Sequence, residues 1–132
     1  MMSRLRPVLL FAALIALMLL AACRDEVVPL GVNDPAKINC SEECANRGQC
    51  GRLADDRRAI LASEGGPAVS GHNRFFFNET LVTVTNTQDR ELIPASNGVP
   101  IDTQAERMPH TFYQVTDGAK TAWVSGWCLA RP

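Results

Sequence analysis

The chain has 132 residues, with 13 basic against 14 acidic side chains and two histidines, for a net charge of −1. That length is one domain with room for a short appendage. No basic stripe of the kind that tracks a phosphate backbone is present, which argues against a nucleic-acid partner.

Arg4 and Arg6 precede an uncharged apolar run from Val8 to Ala22, which Arg24, Asp25 and Glu26 end after 15 residues. A membrane-spanning helix needs about 20 apolar residues. A basic start, a short apolar centre and small residues behind it make a secretory signal instead, over residues 1–22. Its closing Leu20-Ala21-Ala22-Cys23 resembles the lipobox of bacterial lipoproteins, which implies cleavage before Cys23, acylation of that cysteine and attachment to the lipid bilayer through it. The other reading of these residues is an ordinary secretory signal cut near Ala22. Two or three acyl chains hold a protein firmly, at about 0.8 kcal/mol per buried CH₂, where one chain alone is marginal. Arg24 stands where an Asp is the usual inner-membrane retention signal. The expected location is therefore the outer membrane of a two-membrane bacterium, or the outer face of the cytoplasmic membrane where there is only one. Without the signal, 110 residues remain with 11 basic and 14 acidic side chains, a balance of −3.

Residues 23–39 are polar, hold Pro29, Gly31 and Pro35 and show no sustained period, so they are expected to form a flexible tether. A cysteine-rich cap is expected over 40–56, where Cys40, Cys44 and Cys50 lie among turn residues. With Cys128 they make four cysteines beyond Cys23. Outside the cytoplasm such a set forms two disulfides, in any of three connectivities. Four thiolates on zinc are the rival reading, but the spacings lack the C-x₂-C knuckle of zinc ribbons. Neither metal nor cofactor is expected. Leu53–Leu61 suits a helix or a strand, and so short a run cannot decide between them.

Residues 57–132 read as a mainly β domain. Arg74–Phe77 is a short strand candidate whose three phenylalanines cannot all point inward, so one or more must be covered by the cap or exposed in a contact. Leu81–Thr87 is the strongest strand, alternating Val82 and Val84 against Thr83 and Thr85. A polar insertion follows over 88–110, with Asn97-Gly98 as a tight turn. Thr111–Thr116 and Thr121–Ser125 form a hairpin about Asp117-Gly118. In the first of these strands Tyr113 and Val115 share one face, while Phe112 and Gln114 share the other. Short strands divided by turn signals predict a small all-β barrel or sandwich.

The closing stretch Thr111-Phe-Tyr-Gln-Val-Thr-Asp-Gly-Ala-Lys-Thr-Ala-Trp-Val-Ser-Gly-Trp-Cys-Leu129 resembles the second half of bacterial SH3-like domains. There an aromatic strand turns at Asp-Gly and returns as Ala-Trp-Val-Ser-Gly-aromatic. The resemblance implies a small SH3-like β-barrel over 57–132, with Phe112 and Trp127 lining a ligand groove that Trp123 flanks. The family's usual Leu-Asn-Val-Arg-Ser-Gly-Pro segment is missing, and only Glu64-Gly-Gly-Pro-Ala-Val-Ser-Gly71 stands in its place. The alternative is that these rings fill the domain beneath the insertion and the cap. Cys40-x₃-Cys44-x-Asn-x-Gly-x-Cys50 resembles the first half of an EGF-like module, which implies the pairing Cys40–Cys50 and Cys44–Cys128.

For catalysis the sequence offers little. Ser125-Gly-Trp-Cys128 has a passing resemblance to the nucleophile stretch of cell-wall L,D-transpeptidases. Trp127 stands where a Gly should precede the cysteine, and neither histidine lies in the required context. His72 and His110 fall in turn-rich stretches and read as surface or loop residues, and Asn78-Glu-Thr80 is a formal glycosylation sequon. With no nucleophile–base pair apparent, the expectation is a non-catalytic module that binds an envelope component, either peptidoglycan peptide or a partner protein. A purely structural accessory lipoprotein is the alternative.

Overall fold

The structure is a computed structural model that describes residues 29–92, 95–96, 99–100 and 108–132. The signal, Cys23 and the Asn97-Gly98 pair lie outside the described residues. No helix among the described residues is long and apolar enough to cross a membrane.

In chain order the elements are β1 (Pro35–Ile38), a one-turn helix α1 (Glu42–Asn46), β2 (Cys50–Arg52), β3 (Arg58–Ala62), β4 (Arg74–Phe77) and β5 (Leu81–Leu92). Two-residue strands β6 (Ala95–Ser96) and β7 (Val99–Pro100) follow, then β8 (Met108–Thr116), β9 (Thr121–Ser125), a 3₁₀ turn (Gly126–Cys128) and β10 (Leu129–Ala130). The chain is mainly β. Its larger sheet has the order β10-β1-β5-β8-β9 and its smaller one β2-β3-β4, while β6 and β7 pair with each other. Every pairing is antiparallel. The two main sheets face each other and do not close into a barrel.

The alternation expected in β5 is present: Val82 and Val84 are buried, while Thr83 and Thr85 are exposed. A bulge between Val84 and Asn86 shifts its register against β8, and the Thr85 hydroxyl donates to the Gln114 carbonyl there, at 3.1 Å. Such a bulge adds twist to the sheet. β8 and β9 join at Asp117-Gly118, where Gly118 has φ of 91°, a conformation that costs a side-chain-bearing residue more than glycine. One contiguous core holds Ile38, Val84, Tyr113, Val115 and Val124 of the larger sheet against Ile60 and Phe76 of the smaller, and it includes Cys40, Cys44 and Cys128. Burying aliphatic or aromatic side chains of this size contributes about 1.5–3 kcal/mol each. The sheets are also tied at one edge by reciprocal backbone bonds between Ser63 and Trp123, of 3.0 and 2.7 Å.

Three expectations need correction. Residues 35–38 are not tether: β1 lies inside the larger sheet between β5 and β10, with Ala36 and Ile38 fully buried. Proline is tolerated there because Pro35 is the strand's first residue, where a missing N–H costs least. The structured region begins earlier still, since Leu30 packs on the core. The cap is not a separate unit either, because β2 extends the smaller sheet through β3. Finally, the 88–110 insertion is strand at both ends: β5 runs on to Leu92 and β8 starts at Met108, the two pairing in register from Asn86↔Gln114 to Leu92↔Met108. The ambiguous run before residue 62 resolves as a turn followed by β3.

The three phenylalanines divide by alternation. Phe76 is buried in the core, whereas Phe75 and Phe77 lie on the other face, edge to face with centroids 5.3 Å apart. Arg57 sits 4.1 Å from the Phe77 ring centre and Lys120 4.8 Å from that of Phe75.

Candidate functional site

The junction between α1 and the end of β9 concentrates the unusual side chains. Ser41 starts α1, its hydroxyl oxygen accepting from the Cys44 N–H at 3.1 Å, which satisfies one of the orphan donors of the first turn. The same hydroxyl donates to the Trp127 carbonyl at 2.9 Å, across 86 residues of chain. Next to it Cys44 and Cys128 are joined by a disulfide, with Cα atoms 5.1 Å apart. Cys40 and Cys50 form a second bridge with Cα atoms 5.8 Å apart. The two bridges touch: Cys50 Sγ lies 3.3 Å from Cys44 Sγ. The helix, the 3₁₀ turn and the start of β2 are thus held to one another by two covalent links and a shared hydroxyl.

This framework fixes an aromatic stack. The His110 imidazole lies on the Trp127 indole with centroids 3.6 Å apart and planes 24° from parallel. The Arg47 guanidinium lies over the same indole at 4.7 Å, a cation–π contact, and also pairs with Glu43 at 2.8 Å. Below the stack, His110 Nε2 is 2.7 Å from Ser125 Oγ and accepts the Gly126 N–H at 3.2 Å. A backbone N–H can only donate, so Nε2 carries no proton and the neutral ring holds its proton on Nδ1. Ser125 then donates its hydroxyl proton to Nε2 while accepting from the Trp127 N–H at 3.3 Å. Burial, followed by the nearby Arg47 charge, lowers the His110 pKa from its ordinary 6.5. Gly126 is required by this closeness: a Cβ there would lie 2.7 Å from the Thr111 carbonyl and 3.1 Å from the Tyr113 ring.

No family model, curated protein or solved structure matches this chain. Among the described residues no group of three His, Cys, Asp or Glu side chains is arranged to hold a metal ion.

Of the three aromatic residues assigned to a groove, Phe112 is not an open anchor, with only 2% of its surface exposed. It does face away from Tyr113 and Val115, standing opposite Ser125 in β9, but His110 meets it edge-on at 4.9 Å and the second face of the sheet is covered at that point. Trp123 and Trp127 are half-buried. Trp123 stands opposite Gln114, two residues along β8 from Phe112, while Trp127 stacks on His110, two residues the other way. The pair of indoles thus flanks the buried phenylalanine.

His110 is not a loop residue, because β8 begins two residues before it and carries it into the stack. Nor does the chain lack a serine–histidine contact; the structure brings Ser125 and His110 together from 15 residues apart. Ser125, at 1% exposure, has no access for a substrate, and its oxygen serves as cap of the 3₁₀ turn. Arg47 and Ser41 had no local signal in the sequence, since their contacts with Trp127 are made across some eighty residues. His72 is held within its own loop, Nε2 lying 3.2 Å from the Ala68 carbonyl.

Proposed function

We propose that this chain is a lipid-anchored envelope protein, attached through Cys23, whose β domain is a non-catalytic binding module of SH3-like character. The observation that carries the binding reading is the pairing of Trp127 with Arg47 at the disulfide-stapled junction, with half-buried Trp123 farther along the same face beyond Phe112. Half-exposed indoles held by a bridge and by backbone hydrogen bonds lose little freedom on binding, which is how aromatic anchors work in recognition surfaces. Arg47 adds a cation at the rim, matched to the carboxylates of a peptidoglycan stem peptide or of an acidic stretch on a partner protein. The burial of Ser125 and the occupation of His110 Nε2 by two donors support a positioning role for that pair rather than acyl-transfer chemistry, which needs a nucleophile that a substrate can reach.

The test is sedimentation of the soluble form beginning at Arg24 with purified peptidoglycan and with envelope extracts. Trp123→Ala with Trp127→Ala should abolish co-sedimentation while the disulfides still form. A purely structural lipoprotein is the second reading, favoured by the fact that His110 and Arg47 already lie over the Trp127 ring. It would be supported if wild-type protein bound neither material.

A further inference from the structure

Only six residue steps separate Cys23 from Pro29. Fully extended, such a segment reaches roughly 20–22 Å. From Pro29 onward the chain is fixed to the domain. The Arg131 guanidinium donates to the Pro29 carbonyl at 3.3 Å, Leu30 packs on the core, and the Gly31 N–H donates to the Asp34 carboxylate at 2.8 Å. The Asn33 N–H then donates to the Val84 carbonyl at 2.8 Å. Anchoring at Cys23 would therefore hold Pro29 within about 22 Å of the bilayer surface, which limits the faces that can rest on it to those near the start of the domain.

A largely apolar surface begins beside that attachment, at Pro132 next to Arg131 and at Pro35. On the outer side of the larger sheet a shallow groove is lined by Pro35, Leu81, Thr83, Thr116, Gly118 and Pro132. Pro132 adjoins Arg131, the residue that grips Pro29. Leu81 is 65% exposed, the most exposed large apolar side chain among the described residues, and Val32 beside the attachment is 51% exposed. Leu81 stands opposite Lys37 in β1, whose ammonium is paired with Glu79 at 2.9 Å. Asp117 marks the rim. Its carboxylate accepts the Ala119 and Lys120 N–H groups at 2.9 Å each, and these bonds lower its pKa below 3.8, so it stays charged. An apolar floor with a charged rim suits the boundary between lipid headgroups and acyl chains, where a side chain such as leucine can enter while the rim stays wet.

We propose that this groove, centred on Leu81, rests on the bilayer to which Cys23 is attached. The proposal rests on the anchor reading and deepens it by assigning the membrane-facing surface. The occupant is the lipid interface itself, of either charge, because the rim carries both signs.

The test uses lipidated protein on phosphatidylethanolamine–phosphatidylcholine vesicles, compared with the soluble form beginning at Arg24. Leu81→Cys is alkylated with a bulky, water-soluble maleimide, and Arg52→Cys in β2 of the other sheet serves as reference. Anchoring should slow labelling at position 81 by roughly tenfold or more, as expected for a side chain moved into the interface, and leave position 52 within about twofold. Thr83→Cys, in the same groove, provides a second reporter should the Leu81 variant misfold. Vesicle-bound, acylated protein that labels as fast at 81 and 83 as the soluble form overturns the orientation and leaves the anchor intact. Protection of position 52 to the same degree overturns it too, because burial would then not be specific to this face. Wild-type protein that takes up no acyl chain and stays off the vesicles overturns the anchor and the orientation with it.

Discussion

The two disulfides should contribute unequally, and the difference can be calculated from where they fall in the chain. Cys44–Cys128 spans 84 positions and Cys40–Cys50 spans 10. A cross-link restricts the unfolded chain in proportion to the logarithm of the loop it closes, so in the chain-entropy account the long bridge is worth about 4.5 kcal/mol and the short one about 2.8. Cys44 and Cys128 are moreover fully buried, so Cys44→Ala with Cys128→Ala also leaves a small void, which adds to the larger loss. Against a typical total of about 5–15 kcal/mol, losing the long bridge should bring the domain near its unfolding threshold, while losing the short one should leave a folded but weakened protein. Urea unfolding of the soluble form and of the two double-alanine variants, under oxidising conditions, gives the two costs directly. The long-bridge variant should be the less stable by about 2 kcal/mol. If the short-bridge variant were the less stable, or if the long bridge cost under about 1 kcal/mol, the stabilisation would not come from restraint of the unfolded chain.

His110 should confer a pH dependence of its own. Its folded pKa lies below the ordinary 6.5, so the unfolded chain takes up the proton first. The stability it contributes is complete above about pH 6.5 and is lost as pH falls through the folded value. Equilibrium unfolding from pH 7.5 to 5 should show this slope in the wild type and lose it in His110→Gln. Asp55 and Asp117, held below 3.8 chiefly by backbone N–H groups, contribute stability that is lost only at more acid pH. Gly126→Ala should cost roughly 1–3 kcal/mol, read by thermal unfolding, because its Cβ would meet the Thr111 carbonyl at 2.7 Å; an unchanged midpoint would show that the turn can shift. Phe112→Ala should cost about 3–5 kcal/mol, as for a core aromatic, whereas Phe75→Ala, at a ring 38% exposed, should cost much less.

What could be seen in the sequence follows from how local its cause was. β5 is visible because Val82 and Val84 alternate with threonines over a run that needs no partner to be recognised. The β8–β9 hairpin is visible because Asp117-Gly118 encodes its own turn. β1 is not. Four residues beginning with proline and containing one lysine carry too little pattern, and the strand exists because β5 and β10, far along the chain, supply its hydrogen bonds. The face of Phe112 was predictable from period two, but its cover was not, because the His110 ring that meets it takes its own position from Gly126 and Trp127. The disulfide pattern lies between these cases. Counting cysteines leaves three pairings open, and only the resemblance to half an EGF-like module singled out the one that the structure contains.

β8 links the two proposed surfaces and sets the distance between them. Thr116 at one end lines the groove around Leu81, and His110, six residues earlier on the strand, carries the Trp127 stack. At about 3.3 Å per residue the two points are some 20 Å apart. Both lie on the outer face of the larger sheet, since His110, Phe112, Gln114 and Thr116 alternate to one side of β8. The long disulfide bears directly on this arrangement. It secures Cys128, next to Trp127, to α1, and β10, which follows at once, pairs with β1, whose first residue lines the groove. Breaking that bridge should therefore loosen ligand binding and membrane seating together. A Leu81 substitution, acting only at the groove, should change the seating and leave the tryptophan surface as it was.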